Sequence, residues 1–108
     1  MRGEVVELRT DRRAKGHEQR GKRYGVVVQS SVLPLSTTII APTSTSASPA
    51  SFRPEIQLLG VTTKVLIDQV AACDASRLGE VVGYLSLDDM HIIDRALGVV
   101  LDLRLSPS

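Results

Sequence analysis

Cysteine, histidine and tryptophan are scarce in this sequence, and their scarcity argues against several kinds of site. The 108 residues contain one cysteine, two histidines and no tryptophan. The lone Cys73 cannot form an internal disulfide, which is typical of a reducing cytoplasm, and its small apolar neighbours predict a buried thiol. No Cys or His cluster stands at metal-ligand spacing, and the GxxxxGK and GxSxG motifs are absent. We therefore expect neither a metal nor a cofactor.

Long apolar runs are also missing. No run approaches the roughly 18 residues that cross a bilayer. The first ten residues, MRGEVVELRT, include two acidic side chains and no apolar stretch of the signal-peptide kind. These features predict a cytoplasmic protein that does not contact a membrane.

Aromatic residues are nearly absent, with two tyrosines, one phenylalanine and no tryptophan. A chain of this length has room for one hydrophobic core. That core must therefore be aliphatic, and we expect a single domain over residues 1–108.

Basic side chains are concentrated in one segment, although the net charge is only +1. Residues 9–23 hold seven basic and two acidic side chains, an excess of five, so the rest of the chain is net acidic. Such a patch attracts phosphate, although a solvated basic loop without a ligand has the same composition. The basic side chains of the segment are Arg9, Arg12, Arg13, Lys15, Arg20, Lys22 and Arg23.

The order of the apolar residues predicts several short strands followed by one helix. Ser86 with Asp89 forms a capping-box pattern before an apolar stripe at helical spacing, which predicts a helix over Ser86–Leu101 packed on the sheet. A basic loop is expected over 10–22, and a mobile loop rich in Ser, Thr and Pro over 43–54. The predicted strands cover residues 4–10, 24–30, 36–41, 55–58, 64–70 and 79–85. Together they favour a mainly β fold, a small barrel or strongly curled sheet with a helix against it.

Two segments carry groups suited to binding phosphate. The first, GHEQRGKRY (16–24), is a polar loop that leads into an apolar strand, so an arginine at the junction has a fixed backbone and an exposed guanidinium. The second, APTS (41–44), ends a strand with hydroxyls that can donate to a phosphoryl oxygen. An arginine and a threonine without a metal suit RNA cleavage through the 2′-hydroxyl of the substrate. Either residue type is common by chance, so the two motifs are weakly specific alone.

The whole string is more specific than either motif. RGEVVELR, GHEQRGKRYGVVVQS, TTIIAPTS and LIDQVAACDASRLGEVVGYLS follow one another with the spacing of a known family. In this order they resemble the MazF/PemK toxin endoribonucleases of type II toxin–antitoxin systems, over nearly the full chain.

The resemblance implies an SH3-like small β-barrel with a C-terminal helix, usually a homodimer. It further implies an endoribonuclease of single-stranded RNA (mRNA, tRNA or rRNA) that leaves a 2′,3′-cyclic phosphate and a 5′-hydroxyl, and a cognate antitoxin protein. The family's catalytic arginine falls on Arg23, and its catalytic threonine or serine falls on Thr43. Arg23 would stabilise phosphate charge and take part in proton transfer, and Thr43 would anchor a phosphoryl oxygen. Residues expected to contact RNA are Arg12, Arg13, Lys15, His17, Glu18, Gln19, Arg20, Lys22, Tyr24, Ser44 and Gln69.

The chain departs from the family pattern at two positions. Tyr24 replaces the proline that usually follows the arginine, which relaxes the backbone and offers a surface for base stacking. Ala71 replaces a basic residue often found two positions after the strand glutamine. The additional basic residues of segment 10–22 would compensate for that loss, and on this hypothesis they would suit a folded RNA such as a tRNA stem-loop rather than bare mRNA.

Other interpretations remain open. The four residues also fit roles without catalysis or RNA binding. Arg23 fits a surface ion-pair partner, and Thr43 fits an ordinary strand cap. Gln69 fits a structural amide, and His17 fits a solvated side chain. Relatives with this barrel poison DNA gyrase by binding it, but they resemble one another in a tryptophan-containing C-terminal element that this chain lacks. A third possibility is an RNA-binding module without catalysis, against which the presence of both Arg23 and Thr43 argues.

Overall fold

The computed structural model describes residues 1–9 and 22–104. This part of the chain forms seven strands, two short 3-10 helices and one α-helix. The strands are β1 (Glu4–Leu8), β2 (Arg23–Val27), β3 (Thr37–Ser44), β4 (Glu55–Leu58), β5 (Val61–Val65), β6 (Ala71–Asp74) and β7 (Leu78–Tyr84). The 3-10 helices cover Ile67–Gln69 and Ala75–Arg77, and the α-helix α1 covers Leu87–Val100.

The strands form an antiparallel sheet in the order β4-β5-β3-β2-β1-β7, with β6 paired to β3. The sheet curls into a half-barrel and carries one C-terminal helix, which confirms the predicted fold class. No helix within the described ranges is long and apolar enough to cross a membrane.

β3 is the strand that bends the sheet, because its two halves pair with different partners. Its first half pairs with β6, from Thr37 opposite Asp74 onward, and its centre also pairs with β2. At its end, Thr43 and Ser44 leave this arrangement and pair with β5. Pro42, which has no N–H to donate, lies at the point of change, and its carbonyl accepts a hydrogen bond from Leu66 N at 2.8 Å.

The core is aliphatic, as the scarcity of aromatic residues predicts. Val5, Val26 and Val65 of the sheet are fully buried, together with Ile67 of the first 3-10 helix and Ile93 of α1. A smaller cluster around Val6, Val27, Ile40 and Cys73 is also buried, so Cys73 is a buried thiol as predicted. At roughly 25 cal/mol per Å² of apolar surface, burial on both sides of the sheet is the main stabilising term.

Helix α1 confirms the capping-box prediction. Ser86 is its N-cap, and the Ser86 hydroxyl oxygen accepts a hydrogen bond from Asp89 N at 3.1 Å. Met90 and Ile93 of the apolar stripe are buried, and Leu97 and Val100 are partly buried against the same core. The stripe therefore packs on the sheet.

Strand β4 matches its predicted bounds, but two other predictions are wrong. Residues 64–70 are not one strand: β5 ends at Val65, and a 3-10 helix covers Ile67–Gln69. The hydroxyl-rich loop begins after Ser44 rather than at Thr43, because β3 continues along β5. A further strand, β6 (Ala71–Asp74), was not predicted, because the segment before Gly79 was expected to be a loop. Strands β1, β2, β3 and β7 differ from prediction by a few residues at their ends. Of the predicted basic loop, only Lys22 lies within the described residues.

Candidate active site

An open groove of about 750 Å³ lies where β2 begins and β3 ends. It has a basic end, a hydroxyl-rich wall and an apolar rim. The basic and amide side chains are Lys22, Arg23, Arg53 and Gln69; the hydroxyl and neighbouring residues are Tyr24, Pro42, Thr43, Ser44, Thr45, Ser46, Ala47 and Thr63; the apolar residues are Leu58, Leu59, Val61 and Leu66.

Arg23 is the first residue of β2 and enters the groove from an exposed position. Its backbone is fixed by pairing with Leu8 of β1. Within residues 1–9 and 22–104, no carboxylate forms an ion pair with Arg23. The guanidinium is thus presented to the groove on a fixed backbone. The neighbouring Lys22 ammonium lies 3.8 Å from a Glu7 carboxylate oxygen, a weak contact in an exposed pair.

Thr43 is held beside β2 by its own side chain. Its hydroxyl donates a hydrogen bond to the Tyr24 carbonyl at 3.3 Å, and its backbone pairs with Val65 on the other edge of β3. The side chain is half-buried and lines the groove. The 3.3 Å bond is longer than usual for a hydroxyl donor, so a stronger acceptor can displace the carbonyl.

Ser44 turns the chain out of β3. Its hydroxyl oxygen accepts hydrogen bonds from Ser46 N at 3.2 Å and Ala47 N at 3.1 Å. These bonds satisfy backbone donors of the loop that follows, and the Ser44 and Ser46 hydroxyl oxygens lie 3.4 Å apart, close enough for a hydrogen bond between them. Ser44 therefore shapes the hydroxyl-rich wall as well as lining it.

Gln69 reaches the groove from a 3-10 helix, not from the strand on which it was predicted. Its side chain is exposed, and Gln69 N donates to the Leu66 carbonyl at 3.0 Å. Since Leu66 N is bonded to the Pro42 carbonyl, this short helix is attached to β3 next to Thr43. The structure thus brings Lys22, Arg23, Tyr24, Thr43, Ser44 and Gln69 to one groove.

Arg53 is a lining residue that the sequence analysis missed. Its guanidinium forms a bidentate contact with Asp68, Nε to Oδ1 at 3.1 Å and Nη2 to Oδ2 at 2.9 Å. The hydrogen bond to Arg53 lowers the pKa of Asp68 from its ordinary value, against the opposing effect of desolvation, and the same bond raises the pKa of Arg53. The two residues are 15 apart in sequence and share no local pattern, so no signal in the sequence pointed to the pair.

The other predicted RNA-contacting residues lie outside the described part of the chain. They are Arg12, Arg13, Lys15, His17, Glu18, Gln19 and Arg20. Ala71, one of the two departures from the family pattern, is exposed on β6. Arg77 donates from Nε to the Arg9 carbonyl at 3.5 Å, in keeping with a structural role.

Chemically, the groove is suited to an anionic ligand. The charged side chains that line its described part are Lys22, Arg23 and Arg53, all positive. A hydroxyl donor, a guanidinium that makes no ion pair with any described residue, and an amide surround the same space, and these groups bind phosphoryl oxygens. Among the residues the structure describes, no three His, Cys, Asp or Glu side chains are grouped so that they could hold a metal ion.

Known proteins resemble this chain over nearly its whole length. Residues 1–101 match a family described as "PemK-like, MazF-like toxin of type II toxin-antitoxin system". A protein of Mycobacterium tuberculosis (strain ATCC 25618 / H37Rv) named "Putative toxin Rv3098A/RVBD_3098A" is 39% identical over 104 residues, which are 95% of this chain and 98% of that protein.

Two solved structures share the fold. One, from a mycobacterial species, is described as an endoribonuclease in complex with its cognate antitoxin; it is 17% identical, with a TM-score of 0.78 and coverage of 98% of both chains. The other, from a MazE–MazF crystal structure of Deinococcus radiodurans, is 27% identical, with a TM-score of 0.75 and coverage of 94% of this chain and 95% of that one.

Proposed function

The chain belongs to the PemK-like, MazF-like toxins of type II toxin–antitoxin systems, and from this premise we propose that it is a metal-independent endoribonuclease. Endoribonuclease activity is a property of this family. The observation that carries the proposal for this chain is that Arg23 and Thr43 line one groove, from adjacent strands.

The proposed reaction uses the RNA as its own nucleophile. The 2′-oxygen attacks the adjacent phosphorus, a P–O2′ bond forms and the P–O5′ bond breaks. The proton of the 2′-hydroxyl leaves to an acceptor, and a proton is supplied to the departing 5′-oxygen. The products are a 2′,3′-cyclic phosphate and a 5′-hydroxyl, and DNA cannot react because it has no 2′-hydroxyl.

Arg23 has the role of stabilising the pentavalent phosphate. A guanidinium presents paired donors that match two phosphoryl oxygens, and such contacts strengthen as negative charge builds on the phosphate. The fixed backbone of Arg23 at the start of β2 supports this role because little reorganisation is needed when RNA binds. In the proposed mechanism Arg23 also takes part in proton transfer.

Thr43 anchors one phosphoryl oxygen. In the free protein its hydroxyl donates to the Tyr24 carbonyl at 3.3 Å. A phosphate oxygen is a better acceptor than a neutral carbonyl, so the hydroxyl exchanges partners when RNA enters. The half-buried position of Thr43 limits competition from water.

The surrounding residues bind the rest of the RNA. Lys22 and Gln69 offer N–H donors, Ser44 a hydroxyl, and Tyr24 an aromatic ring for a base. Arg12, Arg13, Lys15, His17, Glu18, Gln19 and Arg20, which precede β2 in the sequence, complete the proposed RNA-contacting set. The excess of basic residues before β2 favours folded RNA over unstructured mRNA, and equal or faster cleavage of unstructured mRNA would contradict this preference.

We further propose a cognate antitoxin as the protein partner and a homodimer as the working assembly, in the cytoplasm. One of the fold relatives is described as a complex with its cognate antitoxin, and another as MazE–MazF. Large apolar side chains at and after the end of α1, such as Val99, Leu101 and Leu103, are more than half exposed on this chain, and a subunit interface would bury such side chains. Light scattering of the purified protein measures the mass; a monomer at micromolar concentration would contradict the dimer.

Cleavage of total cellular RNA in EDTA, with mapping of new 5′ ends, tests the activity. We expect discrete cuts that survive chelation and carry 5′-hydroxyls. Arg23→Ala and Thr43→Val each remove one stabilising donor and should lower the rate about 100-fold or more. Thr43→Ser keeps the hydroxyl and should retain most of the activity, and Arg95→Ala, an exposed change on α1, is the matched control.

A second measurement separates the mechanism from mere nuclease contamination. A short RNA with a single 2′-deoxy substitution at the mapped cut should not be cleaved there. Cleavage of that RNA would reject the 2′-hydroxyl mechanism. A folded, antitoxin-free wild type that cuts no RNA would reject the endoribonuclease altogether. It would leave a protein-binding toxin and an RNA-binding module without catalysis as the remaining hypotheses.

A further inference from the structure

Arg53 forms an ion pair with the Asp68 carboxylate at the edge of the groove. Among the described residues, Arg53 lines the groove whereas its ion-pair partner Asp68 does not. The Arg53 side chain is 21% exposed and that of Asp68 28%, so the pair is in contact with solvent at the edge of the groove. Asp68 is next to Gln69 in the sequence, and Gln69 lines the groove.

The guanidinium is held from three directions. Besides the two bonds to Asp68, its Nη1 donates to the Ser48 carbonyl at 3.1 Å, and its central carbon lies 5.7 Å from the centre of the Phe52 ring. Three of its five N–H donors are thereby used within the protein. A guanidinium fixed in this way has a constant position relative to the groove, which a freely rotating side chain would not have.

Without Arg53, the groove would have an uncompensated negative charge beside Gln69. A carboxylate at the edge of a phosphate-binding groove repels the substrate, and screening by a few ångströms of water reduces that repulsion only in part. The other groove cations, Lys22 and Arg23, enter from β2 and its preceding residue and make no ion pair with Asp68.

We propose that Arg53 is a positioning residue for the substrate: held by Asp68, it screens that carboxylate and keeps the hydroxyl-rich side of the groove attractive to RNA phosphate. The inference rests on the proposed function, since it concerns how RNA binds the same groove. Arg53 is assigned no contact with the reacting atoms.

The test compares four variants in steady-state cleavage of a short single-stranded RNA that contains the mapped cut. Arg53→Gln should raise KM about five- to tenfold at low salt with kcat within about twofold. Arg53→Gln with Asp68→Asn removes both charges, and its KM should return to within about twofold of wild type. Asp68→Asn alone should leave KM equal or lower. Arg53→Lys keeps the charge without the fork geometry and should stay near wild type.

A purely structural role predicts the opposite pattern. If the pair served only to hold the loop, Asp68→Asn would raise KM and the double variant would be no better than Arg53→Gln. If Arg53 instead bound the phosphate directly, the double variant would stay as weak as Arg53→Gln, because both lack the guanidinium donor. In either case the inference is wrong. Melting temperatures identify any variant that does not fold; should Arg53→Gln be one, Asp68→Asn and Arg53→Lys decide the question by the same criteria.

Failure of this inference differs from failure of the proposed function. A wild type that cleaves, with Arg53→Gln unchanged in KM, overturns the inference alone. A wild type that neither binds nor cleaves RNA overturns both, and binding is measured independently by fluorescence anisotropy of the same RNA.

Discussion

The Thr43 hydroxyl and the Arg53 guanidinium are both held by oxygen atoms from other parts of the chain. Thr43 donates to the Tyr24 carbonyl of β2, and Arg53 to Asp68 and the Ser48 carbonyl. Each bond fixes a side-chain rotamer in the free protein, so less conformational entropy is lost when a ligand binds. At the scale of the residue, the groove is thus largely arranged before a substrate arrives.

The Asp68–Arg53 pair should make stability depend on pH. The pKa of Asp68 is lower in the folded protein than its ordinary value, so the pair stabilises the fold above the unfolded-state pKa of about 3.9. That contribution is lost as pH falls through the lower, folded-state pKa. Asp68→Asn should therefore melt modestly below wild type at pH 7, and the difference should shrink below about pH 4.

Circular dichroism melts of both proteins between pH 7 and pH 3 make this measurement. Glu80→Gln, an exposed change on β7, controls for the loss of one negative charge. A melting difference between wild type and Asp68→Asn that persists undiminished at pH 3 would contradict the expected linkage.

Some residues of the groove can be predicted from the sequence, and others cannot. The family resemblance predicts Arg23 and Thr43, because each matches a fixed position of the family pattern. The structure then brings both to one groove through pairing of β2 with β3. Arg53 and Asp68 meet only because the segment after β3 folds back on the first 3-10 helix. Such a contact depends on the tertiary fold and leaves no local pattern.

Elements with strong local signals were predicted well. Helix α1 has both a cap and a stripe of 3.6-residue period, so its bounds follow from the sequence. Residues 64–70 lack such a signal, since a short apolar run fits a strand or a tight helix equally. Thr43 and Ser44 have the composition of a loop, but pairing with Val65 and Lys64 of β5 keeps them in β3. Non-local hydrogen bonds decided these two cases.

The β4–β5 hairpin contains a backbone conformation that its leucine tolerates poorly. Leu58 pairs with Val61, and the two residues between them, Leu59 and Gly60, have positive φ angles of 52° and 81°. Such two-residue turns favour Asn-Gly, because a bulky side chain at positive φ costs about 1 kcal/mol. Leu59 is 61% exposed, so little apolar burial would be lost on substitution.

Leu59→Asn should therefore stabilise the protein by about 0.5–1 kcal/mol. The urea midpoint, at an unchanged m-value, measures the effect. Leu35→Asn is the matched control, because Leu35 is also exposed but does not have a positive φ. This change should give no gain in stability. A midpoint that falls for Leu59→Asn would show that the leucine side chain contributes more by packing than its backbone conformation costs.

Over the whole molecule, charge is distributed unevenly around a curled aliphatic sheet. The net charge of +1 gives almost no overall attraction to RNA. The groove gathers Lys22, Arg23 and a screened Arg53, and four more basic residues, Arg12, Arg13, Lys15 and Arg20, directly precede β2 in the sequence. Attraction to phosphate must therefore be local, and its strength should vary with salt according to how many of these side chains the RNA contacts.

The salt dependence of RNA binding measures how many basic side chains contact RNA phosphates. For single-stranded nucleic acid, the slope of log K against log salt is about −0.7 per phosphate neutralised. In a non-cleaving Thr43→Ala background, Arg23→Ala should reduce the magnitude of the slope by about 0.7. Replacing Arg12, Arg13, Lys15 and Arg20 together by Gln should reduce it by about 2–3 if each meets a phosphate.

Arg95→Gln on α1 changes the net charge by the same amount as Arg23→Ala but lies outside the groove lining, so it should leave the slope unchanged. Fluorescence anisotropy titrations between 50 and 200 mM salt suffice, because a slope of about −2 to −3 from the basic segment changes K by roughly 16- to 60-fold over that range. An unaltered slope in the fourfold variant would mean that Arg12, Arg13, Lys15 and Arg20 neutralise no RNA phosphate. The preference for folded RNA would then lose its physical basis, whereas cleavage at the groove would stand.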